Sequence, residues 1–294
     1  MPGYTYDGIA TLKNRFGIRS AERLHAAEAE VVAARHEEFR QQEMPGLFNA
    51  AFLRQIHRHL FQDVYEWAGR TRNEVLVLED GIQASEPVMR KAEGRPFAAG
   101  PQIILRLEQT LEGFVRQNGF KGLNRNAFCN QAAIAFAEVN GVHPFREGNG
   151  RTQRAFFRQM ALGAGYSLDF GVVSRERMTA ASIAAHENGD TGMFQRLFRE
   201  ISDPVRVAAL RKAQMHMDKH GLDWRSQYMS TTEPGQTYRL TMAGIAGTDF
   251  MARTDKAILI GATDDLPDPP PRQSEMFVLK TPAAIRDVPE LKKN

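Results

Sequence analysis

The stretch His143-Pro144-Phe145-Arg146-Glu147-Gly148-Asn149-Gly150-Arg151-Thr152-Gln153-Arg154 constrains the fold more than any other part of the chain. It is a polar, glycine-bearing turn set between two helical runs. Before it, Asn124 or Asn126 starts a helix that places Phe128, Ala132, Ile134, Ala135 and Val139 mostly in a core. Asn140-Gly141 reads as the left-handed cap that ends this helix, two residues ahead of His143. After the turn, a helix continues through Ala155-Phe156-Phe157 to Leu162 and stops at Gly163 and Gly165.

Within the turn, each residue type suits one task. Pro144 pushes His143 toward an extended conformation, and a histidine held there can serve as a general base near neutral pH. Gly148-Asn149-Gly150 lets the backbone approach a ligand with its N–H groups turned inward as an anion nest. A helix starting at about Gly150 aims its positive end at the same place. Glu147 beside a phosphate would be repulsive unless a Mg²⁺ ion bridged the two. Arg151 and Arg154, three apart, share a helix face and can clamp terminal phosphates, while Phe145 packs under the loop. Together these residues describe transfer of a phosphorus-containing group to a hydroxyl. For any one of them a capped, solvated turn is the better explanation; for the whole set it is not. No GxxxxGK[ST] loop and no HExxH motif occurs in the chain.

The remainder reads as mainly helical at first and as strands later. Helical spacing is expected over 20–42, from Asn49 through Phe61, over 102–117 and at about 174–187, 191–201 and 203–219. His57 and His59 are two apart and cannot both ligate one metal from adjacent turns, so they read as packing or surface residues. Glu74-Val75-Leu76-Val77-Leu78, followed by Asp80-Gly81, predicts a hairpin whose edge is either a structural ribbon or a docking edge for an extended peptide. Residues 86–100 predict a long surface connection. Strand-like runs at 237–242, 249–253, 257–260 and 275–279 predict a small antiparallel β domain. The chain has 294 residues, enough for one domain of about 200 residues plus a smaller one. With 38 basic and 35 acidic residues, it makes no case for nucleic acid or an anionic membrane. The single cysteine, Cys129, reads as a buried thiol, in keeping with a reducing cytoplasm or with export of an unfolded chain. No run reaches the ~18 apolar residues of a membrane span, so no membrane partner is expected.

His143 to Arg154 resembles, position by position, the Fic-domain signature H-P-F-x-[D/E]-G-N-G-R-x-x-R. Tyr65-Glu66-Trp67-Ala68-Gly69-Arg70-Thr71-Arg72 and Ser85-Glu86-Pro87-Val88-Met89-Arg90-Lys91 look like Fic toxins and Bep-type effectors of type IV secretion systems. The resemblance implies a mainly α fold: a Fic-fold helical domain with a β-hairpin flap, then a small antiparallel β (OB-like) domain. The expected boundaries are an N-terminal helical extension at 1–34, the Fic domain at 35–205, a connecting helix at 206–219, the OB-like domain at 220–280 and a tail at 281–294.

The same resemblance implies adenylylation, the movement of AMP from ATP to a Ser, Thr or Tyr hydroxyl of a target protein with release of pyrophosphate. His143 would deprotonate the hydroxyl and Glu147 would hold Mg²⁺. Asn149, the Gly148 and Gly150 amides, Arg151 and Arg154 would bind phosphates, with Arg146 and Thr152 among the ATP-binding positions. The flap, Thr71, Arg72, Asn73, Glu74, Val75, Leu76 and Val77, would register the target by strand pairing. Fic enzymes are commonly restrained by an [S/T]-x-x-x-E-[G/N] helix, a pattern this chain lacks; Ser182 precedes Glu187-Asn188 at the wrong spacing. A separate antitoxin-like inhibitor is therefore expected, or none.

Two alternatives compete with adenylylation: another phosphoryl-type transfer on the same fold, and a non-catalytic adaptor. A nucleic-acid partner is not expected, because 220–280 offers aromatics but only scattered cations. The expected location is the bacterial cytoplasm, with type IV translocation into a recipient or host cell as the export route.

Overall fold

The computed structural model describes residues 3–41, 47–90 and 94–283. The chain forms two compact units: Met1–Leu168 with Ser182–Gln195, and Asp169–Ala181 with Arg196–Asn294. This division differs from the expected one. Residues 1–34 belong to the first unit rather than standing as an extension, and residues 196–205 group with the strands.

The first unit is helical because its apolar residues recur at helical spacing behind good caps. Helix α1 spans Ala21–Arg40, with the Ser20 side chain accepting the Arg23 N–H. Helix α2 spans Ala50–Phe61, capped by Asn49, and buries Phe52, Leu53, Ile56, Leu60 and Phe61 on one side. A hairpin of two short strands follows, β1 Leu76–Val77 paired antiparallel with β2 Gln83–Ala84. The strand expected over 74–78 is thus only two residues long, since Glu74 is held back by hydrogen bonds to Thr71. Helices α3 (Gln102–Arg116), α4 (Arg125–Val142) and α5 (Asn149–Gly163) complete the core. Edge-to-face contacts of Phe114, Phe136, Phe156 and Phe157, all 0–2 % exposed, knit these three helices together. Each such ring contributes roughly 2–3 kcal/mol of burial. Cys129, on α4, is buried as expected.

In the second unit the Pro204–Lys219 helix starts on Asp203, whose carboxylate accepts the Val205 and Arg206 N–H groups. Five strands follow: Met229–Thr231, Thr237–Ala246, Asp249–Arg253, Ile258–Ala262 and Met276–Lys280. Most neighbours are antiparallel, as expected, but the first strand pairs in parallel with the fourth. In that first strand Thr231 is held by Glu200, a fully buried carboxylate that accepts its N–H and hydroxyl and pairs with Arg177 and Arg206. Thr231 is anchored by side chains outside the sheet as well as by its ladder partner Ile260. Leu240, Met242, Phe250, Ala252, Leu259 and Leu279 form the core of the sheet. Thr281, expected to begin a loose tail, is buried and bonded to Glu233 and Gln236; residues 284–294 lie outside the described residues. Among the described residues no helix is long and apolar enough to cross a membrane.

Candidate active site

The α4–α5 connection brings the motif together. Helix α4 runs one residue past the expected Asn140-Gly141 stop, and its left-handed cap is His143 itself, at φ 50° and ψ 60°. The expectation of an extended His143 before Pro144 is corrected by this geometry. The His143 N–H donates to the Val139 carbonyl at 3.1 Å, which closes the helix. A side chain in the left-handed region is held there only when its surroundings over-determine it.

Arg72 supplies that constraint. Its Nε donates to the His143 carbonyl at 2.8 Å, its Nη1 to Glu86 at 2.9 Å, and its Nη2 to Ala98 and Val142. Its own N–H donates to Pro144 at 2.8 Å. The guanidinium therefore sits on the last carbonyls of α4, where the helix carries its negative end. Arg72 is 0 % exposed, and burial pulls its pKa below the ordinary arginine value. Opposite Arg72, the ring of Phe97 stacks on the His143 imidazole at 4.1 Å between centroids and 10° between planes. The backbone around Phe97 is fixed by Glu187, which accepts the Arg95 N–H, and by His186, which bonds the Arg95 carbonyl. The stretch expected as a surface connection thus delivers a buried ring to the candidate base.

Glycine at 148 is required twice over. Its φ is +81°, and a Cβ there would stand 2.4 Å from the Phe61 ring. Helix α5 begins one residue later, at Asn149, so the amides of Asn149, Gly150 and Arg151 open the helix where no carbonyl is available to them. The Gly148 amide is engaged by Glu147 Oε1 at 2.9 Å. Asn149 spends its side chain on the loop, donating to the Phe145 carbonyl at 2.7 Å and accepting the Phe145 N–H at 2.9 Å. It shapes the turn and leaves only its backbone for a ligand.

Two of the expected phosphate contacts are corrected. Thr152 is 0 % exposed within α5 and so offers no accessible surface to a phosphate. Arg146 pairs with Glu86 at 2.5 Å and braces the base of the flap. The structure brings Arg151 and Arg154 into the first turns of α5, beside the Gly148 turn. Arg151 pairs with Glu147 and with Glu28, and lies over the Phe61 ring at 4.8 Å. Arg154 has no carboxylate within ion-pair distance among the described residues, and burial followed by the charge of Arg151 depresses its pKa. Both bonds made by the Glu147 carboxylate fall on Oε1, and its side chain is 44 % exposed. One such carboxylate suits a magnesium ion whose remaining ligands are phosphate oxygens and water. No cluster of three or more His, Cys, Asp or Glu side chains that could hold a metal alone exists among the described residues.

The flap divides in two. Thr71 and Arg72 are wholly buried and present no surface to a docking segment, which corrects the expectation for both. Asn73 and Glu74 are half-buried, and Glu74 pairs with Arg54 and Arg70. Val75 and Val77 are 66 % and 69 % exposed on either side of Leu76, next to the open edge of β1.

His57, read from the sequence as a packing or surface residue, is a packing residue whose bond to the site the sequence did not show. It is fully buried between Phe145, Phe61 and Trp67, with its ring 3.9 Å from that of Phe145. Its Nδ1 accepts the Gly69 N–H at 2.7 Å, which leaves Nε2–H to donate to the Glu147 carbonyl at 3.0 Å. The imidazole is therefore neutral, and burial lowers its pKa to about 3. Because the unfolded chain would bind this proton near the ordinary pKa of 6.5, stability is lost as pH falls from about 6.5 toward 3. At pH 5 the loss is about 2 kcal/mol. The His57→Gln variant should melt with a visibly shallower dependence on pH between 7 and 5; an unchanged slope would remove His57 as the cause.

The chain belongs to the Fic/DOC family: the family model matches residues 47–161, which hold the whole turn and the flap. Over 268 residues it is 35 % identical to a protein adenylyltransferase of Bartonella henselae, covering 90 % of this chain and 49 % of that protein. The chain thus spans about half the length of that relative. Among solved structures it is similar to the type IV secretion system effector protein BepA, at a TM-score of 0.91, 32 % identity and 97 % coverage of both chains. The structure of BepC from Bartonella tribocorum with bound AMPPNP matches 68 % of this chain and 96 % of that one, at 38 % identity and a TM-score of 0.67.

Proposed function

We propose that this chain transfers AMP from ATP to a Ser, Thr or Tyr hydroxyl on a target protein and releases pyrophosphate. One observation carries the reading: the fold places His143 at the C-terminus of α4, across a single tight turn from the open amides and the two arginines of α5. The names of the relatives and the AMPPNP held by BepC support it. In this reading the Asn149, Gly150 and Arg151 amides, with Arg151 and Arg154, hold the phosphate chain by charge-assisted hydrogen bonds. Arg154, with no acidic partner among the described residues, is left for the terminal phosphate. The imidazole of His143 takes the proton of the acceptor hydroxyl. The hydroxyl oxygen then bonds to the α-phosphorus as the bond to the pyrophosphate oxygen breaks, and pyrophosphate leaves with the electron pair. Glu147 would hold magnesium against the phosphate oxygens, where the ion supplies charge neutralisation.

The exposed positions Val75 and Val77, with Leu76 between them, are the flap surface best suited to pair with an extended target segment. The five-stranded sheet is read as the OB-like domain. The likeness to BepA supports translocation by a type IV secretion system, and the unguarded Arg154 supports inhibition by a separate small protein.

The test uses ATP labelled at either the α- or the γ-phosphate, incubated with the chain and candidate lysates. A protein band labelled from α-labelled ATP alone is the expected result. Label arriving from γ-labelled ATP would replace AMP transfer with phosphate transfer, and no labelled band in any lysate would favour the adaptor reading.

A further inference from the structure

Helix α1 lies outside the residues that the family model matches, yet it contributes a carboxylate to the site. Glu28 is 5 % exposed, rare for a glutamate unless its charge is met. It is met twice. The hydroxyl of Tyr65 donates to Glu28 Oε2, and Arg151 Nη2 pairs with Glu28 Oε1. Burial, and then the bond to Glu28, raise the pKa of Tyr65 far above the ordinary tyrosine value, so this phenol stays a donor. Arg151 also meets Glu147 at 3.3 Å, and through the same nitrogen, Nη2. Both carboxylates thus hold one end of the guanidinium, while the Phe61 ring lies under its face. The Nε and Nη1 donors are not used by either acid.

We infer that Glu28 is a positioning residue that fixes Arg151 with its remaining donors turned to the nucleotide's β-phosphate. This rests on the reading of Arg151 as a phosphate ligand. An arginine free to rotate would have to be ordered each time nucleotide binds, at the cost of side-chain entropy; Glu28 and Phe61 impose that order beforehand. A second consequence concerns Glu147. With Glu28 sharing the charge of Arg151, Glu147 is less tightly committed to that arginine and keeps Oε2 for other bonds.

The test compares the full chain with Glu28→Gln and Glu28→Asp for binding of AMP, ADP and ATP by calorimetry, with thermal melting alongside. Glutamine keeps the acceptor for Tyr65 but removes the charge from Arg151. We expect ADP and ATP to bind about tenfold more weakly to Glu28→Gln, AMP to change less than twofold, and Glu28→Asp to recover part of the loss. Equal weakening of all three nucleotides would mean a merely structural role, and unchanged or tighter ADP binding would mean that Glu28 is idle or competes with phosphate; each overturns the inference. If the unaltered chain binds none of the three, the functional reading itself fails, which is a separate result.

Discussion

Exchanging His143 for alanine is expected to slow transfer of the α-phosphate label about 10³-fold, within the range for loss of a general base. Nucleotide binding should change less than twofold, because the groups proposed to hold the phosphates belong to α5 and its amides while the imidazole lies across the turn at the end of α4. Alanine and histidine both carry a Cβ at φ 50°, and histidine is only the somewhat better tolerated of the two there, so the exchange should leave the turn in place. The Arg72 bonds to the backbone carbonyls are also untouched by the exchange. Single-turnover rates and calorimetry on the same preparation separate the two effects. Transfer surviving within tenfold of the original would show that another group takes the proton.

The Arg72→Met variant tests how the base is held. It removes the donors that satisfy the His143, Val142, Glu86 and Ala98 carbonyls and takes the positive charge from the negative end of α4. Leaving several buried carbonyls unmatched is expected to cost about 3–4 kcal/mol of stability. The turn should then relax away from its left-handed residue, and a displacement of the base by about 1 Å is enough to lower turnover roughly 10²-fold. Arg72→Lys should recover little, because one ammonium cannot reproduce a planar fork that reaches carbonyls on three segments. Melting and kcat are both measured for the two variants. A methionine variant with unaltered melting and turnover would remove Arg72 from this role.

Much of the site was open to reading because its residues are close in sequence. The Gly148 turn, the start of α5 and the spacing of Arg151 and Arg154 depend on local backbone geometry, and local rules placed the helix start within a residue. The same rules failed where a distant group settles the outcome. Pro144 by itself favours an extended His143, but Arg72, 71 positions earlier, holds the carbonyl that makes the left-handed cap tenable. Asn149 resembled a phosphate ligand until its side chain was seen bonded to both polar groups of Phe145. The role of His57 could not be foreseen from helical periodicity, since its partner is a carbonyl 90 positions away. Phe97 gave one faint sign, an aromatic within a polar stretch, and nothing nearby indicated His143 as its neighbour.

The sequence by itself therefore determined the helical class, the flap hairpin, the strands that follow and the place of the turn between two helices, because periodicity, caps and a dense local motif report on neighbours within a few residues. Only the tertiary structure decided which motif side chains are buried, which are paired and which brace the loop. Thr152 turned inward, Arg146 paired with Glu86, and Glu28 arrived from α1 to share Arg151. The physical reason is that burial and charge pairing depend on which segments pack together, and contacts between distant segments leave no periodic trace in the chain.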